Sequence, residues 1–304
     1  MSLLKPDRQR QKQNKPTILI IGAGPAGITT AIQLKRYGLL PLLLEKDKVG
    51  GLLCNANLVE NYPGFPNGIP GPKLITLFGR QMQRVGVEVT YNEVTQLDYA
   101  NNQFVVTVGQ DYIPTLHTQI VVVATGTRPK PIPIAIPSQV QDKVFSEVWP
   151  LRNVSGKHIV IIGAGDAAFD YALNLAKKNK VTILNRGEEL SCLPLLWERA
   201  KGNPAIAYHM KTSIPQIEAD EQTNRIKLIT DNYSLITDYC LFAIGREPAM
   251  DFLTEGVKMQ EQRLVEDGKL YLIGDVHNGL YRQTAIAVGE GLRAAMQIYE
   301  KVCS

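Results

Sequence analysis

The chain of 304 residues carries 33 Lys and Arg against 29 Asp and Glu, a formal net charge of +4, with 44% hydrophobic and 20% charged residues. Lys5, Arg8, Arg10, Lys12 and Lys15 against Asp7 place that whole excess in the first fifteen residues. The rest is balanced and offers no basic body of the kind a nucleic-acid reader uses. No apolar run approaches the roughly 20 residues of a membrane span, and the polar start lacks the apolar stretch of a secretory signal, so a cytoplasmic protein is predicted.

The length fits two domains of roughly 100 to 200 residues each. The tail, residues 1–15, reads as a solvated extension, with contact to an acidic partner or a membrane surface as the alternative. Cys54, Cys192, Cys240 and Cys303 lie far apart with no CxxC, and His117, His158, His209 and His277 show no ligand spacing. Neither a disulfide framework nor a structural metal is expected.

Thr17–Ile21 is a β-branched apolar run entering Gly22-Ala23-Gly24-Pro25-Ala26-Gly27, followed by a helical pattern through Ile28, Ala31, Ile32 and Leu34. A second buried run, Pro41–Leu44, ends in Glu45. Together they predict a dinucleotide unit. Its glycines let the backbone approach a pyrophosphate at the helix N-terminus, and the strand-end acid accepts ribose hydroxyls. The plainer alternative is a glycine-rich turn that only packs closely.

Leu97–Asp111 alternates around Asn101-Asn102, predicting an antiparallel meander, and the apolar strand Gln119–Val123 leads to Ala124-Thr125-Gly126. The first pattern then recurs: Ile159–Ile162, Gly163-Ala164-Gly165-Asp166-Ala167-Ala168, a helix through Phe169 and Leu175, and a strand Val181–Leu184. This strand ends in Asn185-Arg186 instead of an acid. A guanidinium can pair with a 2′-phosphate that an acid would repel, so the second unit leans to NADPH over NADH. The alternative is that Arg186 is a solvated charge at a strand end. The Pro-rich stretch Thr127–Pro137 and Gly245-Arg246-Glu247-Pro248 read as the two crossings between domains, since proline continues neither helix nor strand. Lys269–Ile273 is a short strand ending in Gly274-Asp275, and a helical pattern from Thr284 closes the chain.

The expected fold is α/β, with two Rossmann-like dinucleotide-binding domains, one inserted in the other. The inserted domain spans 128–248; 16–127 and 249–304 form the outer one.

With these motifs the chain resembles the low-molecular-weight thioredoxin reductases. The carriers of the resemblance are Gly22–Gly27, Glu45, Gly50-Gly51-Leu52, Glu60-Asn61-Tyr62-Pro63-Gly64, Ala124-Thr125-Gly126, Gly163–Ala168, Gly245 with Pro248, Gly274-Asp275 and Tyr281-Arg282-Gln283. The resemblance implies FAD in the outer domain, a pyridine nucleotide in the inserted one, and a homodimer. By position, Gly51 and Asn61 would approach the flavin ring, Asp275 the ribityl chain, and Arg282, Gln283 and Thr284 the pyrimidine end. Gly22, Gly24, Pro25, Ala26, Gly27, Glu45, Leu52, Val94, Ala124, Thr125, Gly126 and Gly274 would complete the FAD site. Gly163, Gly165, Asp166, Ala167, Asn185, Arg186 and Gly245 would hold the nicotinamide nucleotide.

One departure bears on the chemistry. Thioredoxin reductases of this type carry a CxxC just before the second glycine-rich turn, where this chain reads Val144-Phe145-Ser146-Glu147-Val148-Trp149-Pro150. Thiol–disulfide exchange needs two thiols near one another, so that route is closed here. The thioredoxin-reductase-like ferredoxin–NADP reductases also lack the pair and have similar spacing. The expectation is therefore an FAD-dependent NADPH oxidoreductase whose acceptor is a ferredoxin or flavodoxin, ahead of a quinone or a small disulfide. Two alternatives stand beside it: a sensing flavoprotein whose inserted domain no longer uses nicotinamide, and a single-cysteine disulfide reductase using Cys54. The plain reading of Cys54 is a small apolar filler beside Leu52 and Leu53.

Overall fold

The computed structural model describes residues 17–109 and 115–303. The basic tail lies outside them.

The strand Ile18–Ile21 is buried throughout and pairs in parallel with Leu42–Glu45 on one side and Ile120–Val123 on the other. Val89–Tyr91 and Leu270–Leu272 complete a five-stranded parallel sheet at its two edges. Strands covered on both faces read as continuous apolar runs, which is why Ile-Leu-Ile-Ile and Ile-Val-Val-Val could be recognised. Helix Pro25–Arg36 follows the first strand, and the closing helix Thr284–Cys303 packs on it. That approach needs Gly291: a Cβ there would stand 2.4 Å from the Ala26 carbonyl oxygen. Thr30 Oγ1 donates to the Gly291 carbonyl at 3.1 Å, and Tyr37 stacks on Tyr299 with ring centres 4.2 Å apart.

The meander forms from Val94–Ala100, Gln103–Val108 and Leu116–Thr118. Asn101 and Asn102 have φ of 50° and 64°, the left-handed pair that a two-residue hairpin requires. Leu97, Phe104 and Val106 are fully buried and join Val121 and Val123 in one core.

The second parallel sheet has the order Ile206–His209, Lys180–Leu184, His158–Ile162, Tyr239–Phe242, Val144–Phe145. Helix Asp166–Leu175 buries Ala168, Phe169 and Ala172 against it. An antiparallel meander, Gln216–Asp220, Arg225–Ile229 and Ser234–Thr237, supplies a further apolar cluster with Val160, Leu184 and Phe242. At the crossings, Thr127–Pro129 and Arg246–Pro248 pair as a two-stranded ribbon.

The described chain divides into two compact units, each built on one of these parallel sheets. One holds the residues up to Gly51, Thr76–Gly126 and those from Pro248 on; the other holds Leu52–Ile75 and Thr127–Glu247. Each unit carries one glycine-rich strand–turn–helix on its parallel sheet, and the second unit is inserted in the first. Residues 52–75, expected with the first glycine-rich turn, group with the second unit.

Candidate functional site

In the first unit the glycine-rich turn leaves the C-terminal end of strand Ile18–Ile21, where parallel α/β sheets take their ligands. Gly22 has a φ of +102°, and a Cβ on it would meet the Ala124 carbonyl oxygen at 2.5 Å. A Cβ on Gly27 would lie 1.9 Å from the Gly22 carbonyl oxygen. Both positions exclude any side chain. Gly24 differs, since nothing stands within 4 Å of the place its Cβ would take. It caps helix Pro25–Arg36 with no side-chain hydrogen bond, and Pro25 opens the helix. No side chain therefore caps the helix start, the kind of N-terminus at which an anion binds.

Glu45 ends the neighbouring strand. Its Oε2 accepts from Ala23 N at 2.7 Å and its Oε1 from Asp47 N at 2.9 Å, which pins the carboxylate beside the turn with lone pairs left for hydroxyl donors. Gly50 N donates to the Ala23 carbonyl at 2.7 Å, bringing the Gly51 Cβ position within 3.5 Å of Gly24 Cα. Ala124, Thr125 and Gly126 close the other side, with Thr125 Oγ1 donating to the Ala249 carbonyl at 2.7 Å. Gly274 has a φ of +74° and its Cβ position lies 3.1 Å from Ala26 Cβ, so the turn carrying Asp275 sits against the same helix start. Glu290 holds that turn: its Oε2 accepts from Gly274 N at 2.6 Å and Asn278 Nδ2 at 2.9 Å. In the sequence Glu290 is one more acid in a helical pattern, and nothing local marks this role.

Arg282 and Gln283 immediately precede helix Thr284–Cys303 in this unit. Val94 lies in the apolar core with Phe104 and Val106. Leu52, Cys54 and Asn61 belong to the second unit. The uncapped helix start and the strand-end acid beside it fit the pyrophosphate and ribose groups of a dinucleotide such as FAD.

In the second unit Gly163 has a φ of +130°, and a Cβ there would stand 2.3 Å from the Ala243 carbonyl oxygen. Gly165 caps helix Asp166–Leu175, again without a side-chain hydrogen bond. Ala168, in place of a third glycine, is fully buried and its methyl joins the core. Ala167 is exposed, and Gly245 is held by Lys130 N donating to its carbonyl at 3.1 Å. The Asp166 carboxylate accepts Leu193 N at 2.7 Å.

Asn185 is buried, and its side chain is engaged in its own loop. Nδ2 donates to the Glu189 carbonyl at 3.0 Å and to Tyr208 Oη at 2.9 Å, while Oδ1 accepts Gly187 N at 3.1 Å. Asn185 thus shapes the loop that presents Arg186, whose own side chain is exposed. This use of Asn185 depends on Tyr208, from the next strand, and no local pattern announces it.

The cysteine-free stretch begins on strand Val144–Phe145 and delivers Glu147 into a polar network. Its Oε1 pairs with Arg246 Nη1 at 2.8 Å, and its Oε2 accepts Asn55 Nδ2 at 2.8 Å. Arg246 also donates from Nε to Thr127 Oγ1 at 2.9 Å and from Nη2 to the Thr127 carbonyl at 2.8 Å. Cys54, a buried thiol, lies 3.5 Å from the Asn55 amide oxygen that accepts from it. Burial, followed by the nearby Glu147 charge, pushes the Tyr171 hydroxyl up to about 12. Burial also raises the Cys192 and Cys240 thiols, the direction that makes them poor nucleophiles. Among the described residues no group of His, Cys, Asp or Glu could hold a metal ion, and no helix is long and apolar enough to cross a membrane.

The sequence profile of the pyridine nucleotide-disulphide oxidoreductases matches residues 16–291. The chain belongs to that family. It is 29% identical over 299 residues to a thioredoxin reductase of Mycolicibacterium smegmatis, covering 92% of this chain and 94% of that one. It is 30% identical over 302 residues to a thioredoxin reductase of Chlamydia trachomatis, covering 92% and 96%. Thioredoxin reductase of Lactococcus lactis superposes with a TM-score of 0.83 at 25% identity, over 95% of this chain and 99% of that one. A bacillithiol disulfide reductase of Bacillus cereus shares the fold, with a TM-score of 0.70 at 20% identity over 95% and 100%. The family member described here is an FAD-dependent oxidoreductase of the thioredoxin reductase type. Gly22–Gly27 and Gly163–Ala168, two of the motifs that carried the resemblance, are the turns at which the glycine-rich loops leave their sheets.

Proposed function

We propose that this flavoenzyme oxidises NADPH and hands the electrons to a small redox protein of the ferredoxin or flavodoxin class. In this proposal residues 16–127 and 249–304 bind FAD and 128–248 bind NADPH. The observation that carries the NADPH assignment is the contrast between two similar turns: an acid, Glu45, ends the second strand of the first unit, and the exposed Arg186 follows the matching strand of the second. FAD supplies hydride acceptance and the ability to release electrons singly or in pairs. The protein's own share is positional. The N-terminus of helix Pro25–Arg36 neutralises the pyrophosphate, Glu45 accepts the ribose hydroxyls, Asp275 meets the ribityl chain and Arg186 pairs with the 2′-phosphate. A homodimer in the cytoplasm completes the picture.

The absence of cysteine from Val144–Pro150 argues against thioredoxin reduction through a CxxC pair. The thioredoxin reductases among its relatives favour a second reading, in which thioredoxin or another disulfide is the acceptor and Cys54 the attacking thiol. Anaerobic titration of the purified protein with NADPH and NADH, followed by flavin absorbance, separates these. Bleaching by NADPH and rapid reoxidation by ferredoxin or flavodoxin is the expected result. Reoxidation by thioredoxin that disappears in Cys54→Ser would replace it with the second reading. Failure of both nucleotides to bleach the flavin would leave a sensing flavoprotein.

A further inference from the structure

The residues after Leu184 do not stand alone at the edge of their sheet. Strands Lys180–Leu184 and Ile206–His209 are adjacent and parallel, with Leu184 opposite His209, so both chains leave the sheet side by side. Backbone hydrogen bonds then zip the two exits together. Asn185 N donates to the His209 carbonyl at 2.8 Å, Lys211 N to Gly187 at 3.0 Å and Thr212 N to Asn185 at 2.9 Å.

Within this zipped corner Lys211 has a φ of +51°, a left-handed conformation uncommon for a long side chain. Its ammonium meets Glu188 Oε1 at 2.6 Å, with the two side chains 63% and 69% exposed. An ion pair so exposed holds its partners weakly. Among the described residues Arg186, two positions before Glu188, has no ion-pair partner. The ribose of a dinucleotide's adenosine half is read at the end of the second strand of such a unit, where Arg186 follows Leu184 and the backbone bond from Lys211 N to Gly187 sets Lys211 beside the same loop.

We propose that Lys211 is a second anchor for the 2′-phosphate of NADPH, and that Glu188 occupies its ammonium when no phosphate is there. This rests on the NADPH site proposed at Arg186. A phosphate carries close to two charges and several strong acceptor oxygens, so it outcompetes a single exposed carboxylate for Lys211 while also accepting from Arg186. A 2′-hydroxyl has no charge with which to draw Lys211 from Glu188. The corner therefore discriminates in favour of NADPH by exchanging one weak ion pair for a stronger one.

Calorimetric titration of the FAD-loaded full chain with 2′,5′-ADP and with 5′-AMP tests this without turnover. Asn tolerates the left-handed region, so Lys211→Asn removes the charge while keeping the turn. It is expected to weaken 2′,5′-ADP about 10-fold and 5′-AMP by less than about 2-fold, as loss of one charge-assisted bond predicts. Lys211→Arg should retain the 2′,5′-ADP affinity, and Glu188→Gln should tighten 2′,5′-ADP by removing the competitor. If Arg186→Ala selectively weakens 2′,5′-ADP but Lys211→Asn changes both probes equally or neither, the Lys211 role is overturned and the NADPH site stands. If the wild-type chain binds both probes equally and Arg186→Ala changes nothing, the NADPH site itself is refuted, and Lys211 with it.

Discussion

Gly27 illustrates how one missing methyl supports a cofactor site. A Cβ there would press to within 1.9 Å of the Gly22 carbonyl oxygen, a backbone atom that cannot swing aside. Gly27→Ala is expected to destabilise the first unit by about 1–3 kcal/mol, the usual cost of overpacking, and to lower the flavin content of the purified protein. Urea unfolding and the ratio of flavin to protein absorbance read the two effects. At the corresponding place in the second unit Ala168 already packs in the core, so the same substitution has in effect been accepted there. Arg186→Ala should raise the KM for NADPH by about 10-fold or more and leave that for NADH nearly unchanged, as loss of a charge-assisted phosphate contact requires. Equal effects in steady-state assays with the two nucleotides would remove the 2′-phosphate assignment.

Asp170 gives a pH signature unrelated to catalysis. Burial pushes its carboxyl up from 3.8 to about 6, outweighing the Asn57 N–H it accepts at 2.8 Å. The folded protein then holds this proton more tightly than the unfolded chain does. The associated stability is fully present below the unfolded value of 3.8 and is lost as pH rises through about 6. Asp170→Asn keeps an oxygen to accept Asn57 N–H and cannot ionise. It should therefore be more stable than wild type at about pH 7.5, by on the order of 1–3 kcal/mol, and lose that advantage near pH 4. Urea melts at the two pH values measure it.

At the scale of elements, the glycine-rich turns are coupled to helix packing. Helix Thr284–Cys303 reaches helix Pro25–Arg36 through Gly291, whose Cβ position is 2.4 Å from the Ala26 carbonyl oxygen. Gly291→Val should force the helices apart, destabilise the protein by about 2 kcal/mol or more, and loosen FAD because the start of Pro25–Arg36 is the anion-binding end. Flavin release on dilution, followed by fluorescence, would detect it. An unchanged release rate would show that the turn is held independently of this helix pair. The strand and helix around each turn were legible because their periodicity and buried runs are local. Helix Gly71–Val85 is less legible, although Leu74, Phe78 and Met82 recur at helical spacing and are all buried. The glycines and prolines just before it masked the pattern.

For the molecule as a whole, the charge excess belongs to residues 1–15, outside the described part, and the body beyond Lys15 is balanced. Removing Met1–Gln13 is therefore expected to leave flavin reduction by NADPH unchanged and to flatten the salt dependence of electron transfer to an acidic acceptor. Stopped-flow traces at low and high ionic strength check both halves of that statement.

The sequence by itself determined the α/β class, the two glycine-rich turns, the insertion of one domain in the other and the acid-versus-arginine contrast at residues 45 and 186. All of these are written in contiguous residues whose spacing reflects a strand, a turn and a helix. Only the tertiary structure decided that Asn185 shapes its loop through Tyr208, that Glu290 braces the Asp275 turn, that Glu147 ties Arg246 to Asn55, and that Lys211 stands beside Glu188. Each of those contacts joins residues from different elements or loops, and side-chain hydrogen bonds of that kind leave no period in the chain for a reader to find.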